Sequence, residues 1–223
     1  CRREYRIIDE ETGDELKIDN QYIMSPKDLC TISFLDRLAN SGVAVFKIEG
    51  RGRSADYVYT VVSVYKQALK AIVSKTYTHE KISKWIKSLS EVYNRGFWQG
   101  GYYLGKKLGE WSGTYGSKAT MEKTLVGKVK HFFDKKEVAE ILLTGNSIKK
   151  GDKLVITGEK TGIVYQTVSD LWFNNKPVEK AEKGSPISIK TKEKIRENDK
   201  VFIINKRPRR NKQVDGKNSL SKK

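Results

Sequence analysis

Val43-Ala44-Val45-Phe46-Lys47-Ile48-Glu49-Gly50-Arg51-Gly52-Arg53 is the stretch on which the reading of the fold turns. Residues 43–48 are apolar apart from Lys47. Continuous rather than alternating apolarity predicts a parallel strand buried on both faces. A charged, Gly-rich loop follows, and Ser54 then stands as the N-cap of a long helix with Tyr57, Val58, Val61, Val62, Tyr65, Leu69 and Ile72 on its inner face. Upstream, Tyr22-Ile23-Met24 reads as a short strand. Ser25-Pro26-Lys27-Asp28 reads as a helix start, with Ser at the N-cap, Pro at the first helical position and Asp in the first turn. Leu29, Ile32, Leu35 and Leu38 would form the apolar face of that helix, which stops near Ser41-Gly42. Residues 22–73 therefore predict strand, helix, strand, loop, helix, a βαβα unit.

Outward from this unit the pattern changes twice. Residues 1–20 are polar, with a hairpin expected at Thr12-Gly13-Asp14. Ile82, Trp85, Ile86, Leu89 and Tyr93 mark a helix over 80–95, ended by Asn94-Arg95-Gly96. A Gly- and aromatic-rich connector runs over 97–116, and from Leu125 the apolar period becomes two. Strands are expected at 126–129, 138–143, 153–157, 164–171, 186–189 and 200–204, separated by Gly/Asp turns such as Gly151-Asp152, the signature of a small closed β-barrel. The expected organisation is a first domain at 1–96, a connector at 97–122, a β-domain at 123–205 and a basic tail at 206–223.

The chain of 223 residues is 32% charged, with net charge +17 and pI about 9.7. A field of that strength attracts polyanions, nucleic acid before membrane. Lys206, Arg207, Arg209, Arg210, Lys212, Lys217, Lys222 and Lys223 face one acid, Asp215, so the tail is expected to be a disordered basic arm. No apolar run reaches the ~18 residues of a membrane helix. The chain opens at Cys1 with no initiator Met and no apolar leader, as expected of part of a longer protein. Two cysteines are too few for a disulfide framework, which with no export signal favours the cytoplasm.

Candidate chemistry gathers at two places. Lys47, Glu49 and Arg51 close the predicted strand at residues 43–48. There a carboxylate can bind a metal, act as acid or base or hold an arginine, or the three charges can form a structural ion-pair network. Cys30 lies on the first turn of a predicted helix, where the dipole would favour a thiolate, although a small buried side chain fits equally. His79 and His131 have no ligand-spaced neighbours and read as structural. No nucleophile elbow, phosphate loop, dinucleotide motif or zinc spacing is present. Trp98, Tyr102, Tyr103, Trp111 and Tyr115, interleaved with Lys106 and Lys107, suit either base stacking or an interdomain seam.

Ser25-Pro26-Lys27-Asp28-Leu29-Cys30, Phe46-Lys47-Ile48-Glu49-Gly50-Arg51, Ser54-Ala55, Tyr57-Val58 and Tyr93-Asn94-Arg95-Gly96-Phe97 together resemble the second half of the core of the collagenase-like peptidase U32 family. Tyr115-Gly116-Ser117 and Val126-Gly127 resemble its C-terminal extension. Lys149-Lys150-Gly151-Asp152-Lys153-Leu154 is similar to the small barrel that forms the second domain of translation GTPases. The resemblance implies the C-terminal portion of a TIM-like β/α-barrel followed by that small β-barrel. It implies either collagenase-like proteolysis or RNA hydroxylation, including 5-hydroxylation of the tRNA wobble uridine with prephenate as cosubstrate. Other members act in oxygen-independent ubiquinone hydroxylation. Some members hold an iron–sulfur cluster on four cysteines. Cys30 falls where one such ligand lies, Cys1 lies near another, and the rest would lie upstream. The expected site is then Glu49 and Arg51 positioning substrate at the barrel mouth, Lys47 assisting, and Cys30 as a cluster ligand. Arg95, Lys128, Lys130, Arg207, Arg209 and Arg210 are the expected RNA contacts. The implied partners are tRNA or another RNA and the N-terminal half of the same protein, without which this stretch is expected to be inactive.

Overall fold

The computed structural model describes residues 3–18, 21–100, 110–114, 116–191 and 193–208. Cys1, Tyr102, Tyr103, Lys106, Lys107, Tyr115, Arg209, Arg210 and the rest of the tail lie outside the described residues.

The hairpin at Thr12-Gly13-Asp14 is present. β1 (Tyr5–Ile8) and β2 (Glu15–Ile18) pair antiparallel across it, and Gly13 takes φ +78, which only glycine adopts without strain. The next two expectations are corrected. Residues 22–24 form no strand: the Ser25 amide donates to the Tyr22 carbonyl at 2.7 Å and closes a turn. Nor does a helix start at Ser25. Residues 28–29 are extended as β3 (Asp28–Leu29), which lies parallel to β4 (Phe97–Trp98). The Asp28 amide donates to Gly96 O at 2.8 Å and the Cys30 amide to Trp98 O at 2.9 Å. Those cross-chain bonds need the amides a helix would turn inward, so the helix α1 (Leu35–Asn40) begins only beyond them.

Residues 43–48 also depart from expectation. They form no ladder; Val45 is 80% and Val43 44% exposed, while Phe46 and Ile48 pack on the helical core. A parallel strand exists only where a neighbour takes its hydrogen bonds, and none of the described strands lies beside this one. A β/α-barrel is accordingly not seen among the described residues, where parallel pairing is confined to β3 and β4.

α2 (Ala55–Val73) starts at Ser54, whose extended φ/ψ suits an N-cap, and stops at Lys75, which is left-handed at φ 56. α3 (His79–Glu91) is capped by Thr78, whose hydroxyl accepts from the Lys81 amide at 3.4 Å. Val61, Val64, Ala68 and Ala71 of α2 bury against Ile82, Trp85 and Leu89 of α3, and Cys30, Ile32 and Leu35 complete this core. Val58, expected inward, is exposed.

From Met121 the alternation becomes sheet. β5 (Met121–Phe133), a 3₁₀ turn over Asp134–Lys136 and β6 (Val138–Leu143) are followed by β7 (Ile148–Lys149), β8 (Lys153–Gly158) and β9 (Gly162–Thr167). β10 (Trp172–Phe173), β11 (Lys176–Pro177), β12 (Lys180–Ala181), β13 (Pro186–Lys190) and β14 (Lys200–Lys206) complete the series. Eight strands pair in the order β11-β10-β13-β6-β5-β14-β8-β9, and β7 pairs with β12. The large sheet is antiparallel, as the period of two predicts, but its hydrogen-bonded order does not close, since β9 and β11 end it. Its inner face wraps one apolar core that includes Val126, Ile141, Leu154, Ile156, Ile187 and Ile189. Each such fully buried side chain contributes about 1.5–3 kcal/mol relative to exposure. No described helix is long and apolar enough to cross a membrane.

The helical layer and the sheet meet along one seam. Asp56 on α2, 7% exposed, pairs with Lys123 on β5, and the rings of Tyr59 and Tyr165 stand 5.9 Å apart.

Candidate functional site

Parallel pairing of β3 with β4 brings Asp28 beside the turn that follows α3. Asn94 makes that turn: its Nδ2 donates to Val92 O at 2.9 Å, and its Oδ1 accepts from the Gly96 amide at 3.0 Å. Gly96 has φ +84. The Arg95 amide therefore points at Asp28 Oδ2 (2.7 Å), and the Arg95 guanidinium reaches Oδ1 through Nε and Nη2, both at 3.4 Å. Arg53, from the loop before α2, donates to the same Oδ1 through Nη2 at 3.3 Å. Its Cζ lies 4.3 Å from the Tyr93 ring centre and 5.1 Å from that of Tyr57, within cation–π range. One carboxylate thus holds two guanidiniums, one of them between two aromatic rings.

These groups form one wall of a cavity of about 480 Å³ that is also lined by Lys27, Cys30, Lys47, Glu49, Tyr65 and Trp98, among others. Lys27, Lys47, Arg53 and Arg95 outnumber the lining acids Asp28 and Glu49, so the cavity favours an anion. Lys27 is offset by Glu110, 3.5 Å away. Burial pushes the Cys30 thiol above its usual value, against a smaller lowering by hydrogen bonds from the Ile32 backbone and Tyr65. Burial also raises Tyr57, against the opposing Arg53 charge, and raises Tyr65, whose hydroxyl accepts from the Thr31 amide at 3.2 Å. Cys30 is therefore a neutral thiol at neutral pH, which favours the small buried side chain over the dipole-stabilised thiolate, the two readings left open by the sequence: the residue sits on a strand-like segment and has no helix N-terminus beneath it.

Cys30, Lys47, Glu49 and Arg95 come together at this cavity, whereas Arg51 does not line it. Lys47, Glu49 and Arg51 are exposed, and among the described residues they form no ion-pair network. Instead Glu49 Oε1 accepts from the Arg51 amide at 2.7 Å, a local turn bond. Arg95 faces Asp28 rather than solvent. Arg207 is also engaged, its Nη1 donating to Ser117 O at 2.5 Å, because the end of β14 runs beside the connector. Lys128 and Lys130 are exposed on the sheet. His131 meets Glu197 at 3.0 Å at the surface. Asp28, Arg53, Tyr57 and Tyr93 were not picked out as functional by sequence. Three of them lie inside quoted family motifs, Asp28 in Lys27-Asp28-Leu29-Cys30, Tyr57 in Tyr57-Val58 and Tyr93 in Tyr93-Asn94-Arg95-Gly96, and that shared membership was the available signal.

An iron–sulfur cluster takes four thiolates. Cys30 offers one buried sulfur, and no group of three or more His, Cys, Asp or Glu stands together to hold a metal among the described residues. The described residues by themselves therefore supply one of the four ligands.

The sequence matches the model of peptidase family U32 over residues 1–113. It is 49% identical over 207 residues to a protein named Collagenase of Porphyromonas gingivalis, covering 93% of this chain and 50% of that one. It is 34% identical over 208 residues to an uncharacterized protease of Methanocaldococcus jannaschii, covering 92% and 50%. It is 28% identical over 180 residues to tRNA hydroxylation protein P1 of Bacillus subtilis, covering 77% and 41%. The chain spans about half the length, or less, of these relatives. The match over the helical half, and the identity that continues through the sheet, establish that the chain belongs to peptidase family U32.

Proposed function

We propose that this chain is part of an RNA-modifying enzyme of the tRNA hydroxylation type, acting on a wobble uridine, with the pocket beside Asp28 receiving the substrate. The observation that carries this reading is the pocket itself. It holds surplus positive charge and an arginine between two aromatic rings, a surface suited to a flat base and a nearby anion. Arg53 and Arg95 share one carboxylate, so one positive charge remains for a carboxylate-bearing cosubstrate such as prephenate. Hydrolysis would need an activated nucleophile, and Cys30 is a neutral thiol in a pocket that no described histidine lines. Relatives named for tRNA hydroxylation and for 23S rRNA 5-hydroxycytidine synthesis support the reading. Proteolysis is the second reading, favoured by the 49% identity to a protein named Collagenase.

The test is mass spectrometry of tRNA nucleosides from cells lacking the full-length gene and complemented with wild type, Asp28→Asn or Cys30→Ala. Wild type should restore 5-hydroxyuridine-derived nucleosides. Asp28→Asn should restore them at least ~10-fold less well, the cost of about 1.4 kcal/mol of lost positioning. Unchanged nucleosides in the deletion strain would sink the tRNA reading and favour a peptide-cleavage screen.

A further inference from the structure

The outer face of the large sheet changes character from one row to the next. In one row Phe202 of β14 stands opposite Val155 of β8, which stands opposite Tyr165 of β9. That row faces the helical layer: Tyr165 meets Tyr59 of α2, and Val155 is fully buried. Two residues along β14, about 6.6 Å at the usual rise, the next row reads Leu142, Lys128, Lys200, Thr157, Ile163 across β6, β5, β14, β8 and β9.

Lys128 and Lys200 are direct cross-strand partners, both exposed, so two ammonium groups project side by side from one face. Like charges directly opposite repel. The row contains no carboxylate, and neither lysine has an ion-pair partner among the described residues. Lys130, also exposed, follows two residues after Lys128 and is the extra residue of the irregularity between Val129 and His131. Of the neighbouring acids, Glu197 pairs with His131 at 3.0 Å and buried Asp199 accepts from the Arg196 amide at 2.8 Å, while half-buried Glu140 stands opposite His131 on β6, next to Lys130 and outside the row that holds Lys128 and Lys200. Arg196, which donates to Thr161 at 3.1 Å, and exposed Lys160 add two positive charges at the end of the β8–β9 hairpin, beside the one negative charge of exposed Glu159.

We propose that Lys128, Lys130 and Lys200 form a track for an RNA phosphate backbone, immediately beyond the line where α2 docks. The proposal rests on the RNA reading given above and goes beyond it by placing the polyanion on the sheet, away from the pocket. A repulsive pair with no internal counter-charge is relieved when a phosphate lies between its members. A face of this kind reads charge rather than sequence, because the row carries no aromatic ring to stack a base.

The experiment is fluorescence anisotropy of the whole chain with an unmodified tRNA transcript and with a homopolymeric RNA of equal length, over a salt titration. The triple variant Lys128→Gln/Lys130→Gln/Lys200→Gln is compared with Lys66→Gln/Lys176→Gln/Lys183→Gln, which removes equal charge from other exposed positions. Each lost phosphate contact lowers the slope of log affinity against log salt by about 0.7–0.9, so the track variant should lose about 2 from the slope, equally for both RNAs. The control should keep the wild-type slope. Equal losses in both variants would overturn the track in favour of general charge, and so would an unchanged slope in the track variant. Absence of RNA binding by the wild type would overturn the RNA reading itself.

Discussion

Burial removes water from around Cys30 and pushes its thiol above the usual 9.0. A group whose folded pKa is raised adds stability while it stays protonated, here below about pH 9.0, and that stability is lost as pH rises through the folded value. Alkylation of Cys30 with iodoacetamide, read on its own peptide by mass spectrometry so that Cys1 does not contribute, should therefore be slow at neutral pH and accelerate only above the ordinary thiol range, while Cys30 of the urea-unfolded chain reacts as a normal cysteine. Rapid alkylation of Cys30 in the folded chain at neutral pH would contradict the neutral-thiol assignment. Asp28 illustrates the other side of residue-scale reading. As a residue type in a first turn it looks like a helix start, yet its meaning comes from Arg53 and Arg95, which are distant in sequence and converge on one oxygen.

At the scale of elements, period and punctuation performed unevenly. The period of two located the antiparallel strands of the sheet, because each buries one face and the pattern is local. Ser54 marked the start of α2 for an equally local reason, and the helical period located α3, whose cap at Thr78 only the structure revealed. Leu29, Ile32 and Leu35 matched a helical period, but the amides of Asp28 and Cys30 bond to the carbonyls of Gly96 and Trp98, so tertiary pairing overrode the local pattern. Close strand approach also imposes a requirement that periodicity does not register. A Cβ on Gly127 would stand 2.2 Å from Leu142 O, a backbone atom that cannot move without parting β5 from β6. Gly127→Ala should destabilise the sheet by about 1–3 kcal/mol in urea denaturation, the usual cost of overpacking. A stability unchanged within error would show that the ladder can widen there.

Across the whole molecule, the helical layer is pinned to the sheet by a buried charge. Asp56 is nearly enclosed, and Lys123 from β5 is its cation. Lys123→Ala leaves a buried carboxylate without that partner and should cost about 2–3 kcal/mol. Asp56→Ala/Lys123→Ala should cost less than the sum of the single changes, with a coupling on the order of 1 kcal/mol. Denaturation of the three variants measures this, and hydrogen exchange at the start of α2 should rise in Lys123→Ala alone. Additive effects would mean that the pair does not hold the seam. By themselves the residues determined what depends on near neighbours: the sheet's alternation, both long helices and the cap at Ser54, the hairpin at Gly13, the surplus of positive charge and the family motifs. Tertiary structure decided what depends on distant partners: the extended course of 28–30, the unpaired state of 43–48, the open order of the sheet and the gathering of Asp28, Arg53 and Arg95. The reason is that a hydrogen-bond ladder or an ion cluster forms only with groups from other parts of the chain, and periodicity records which face a residue turns without recording what meets it.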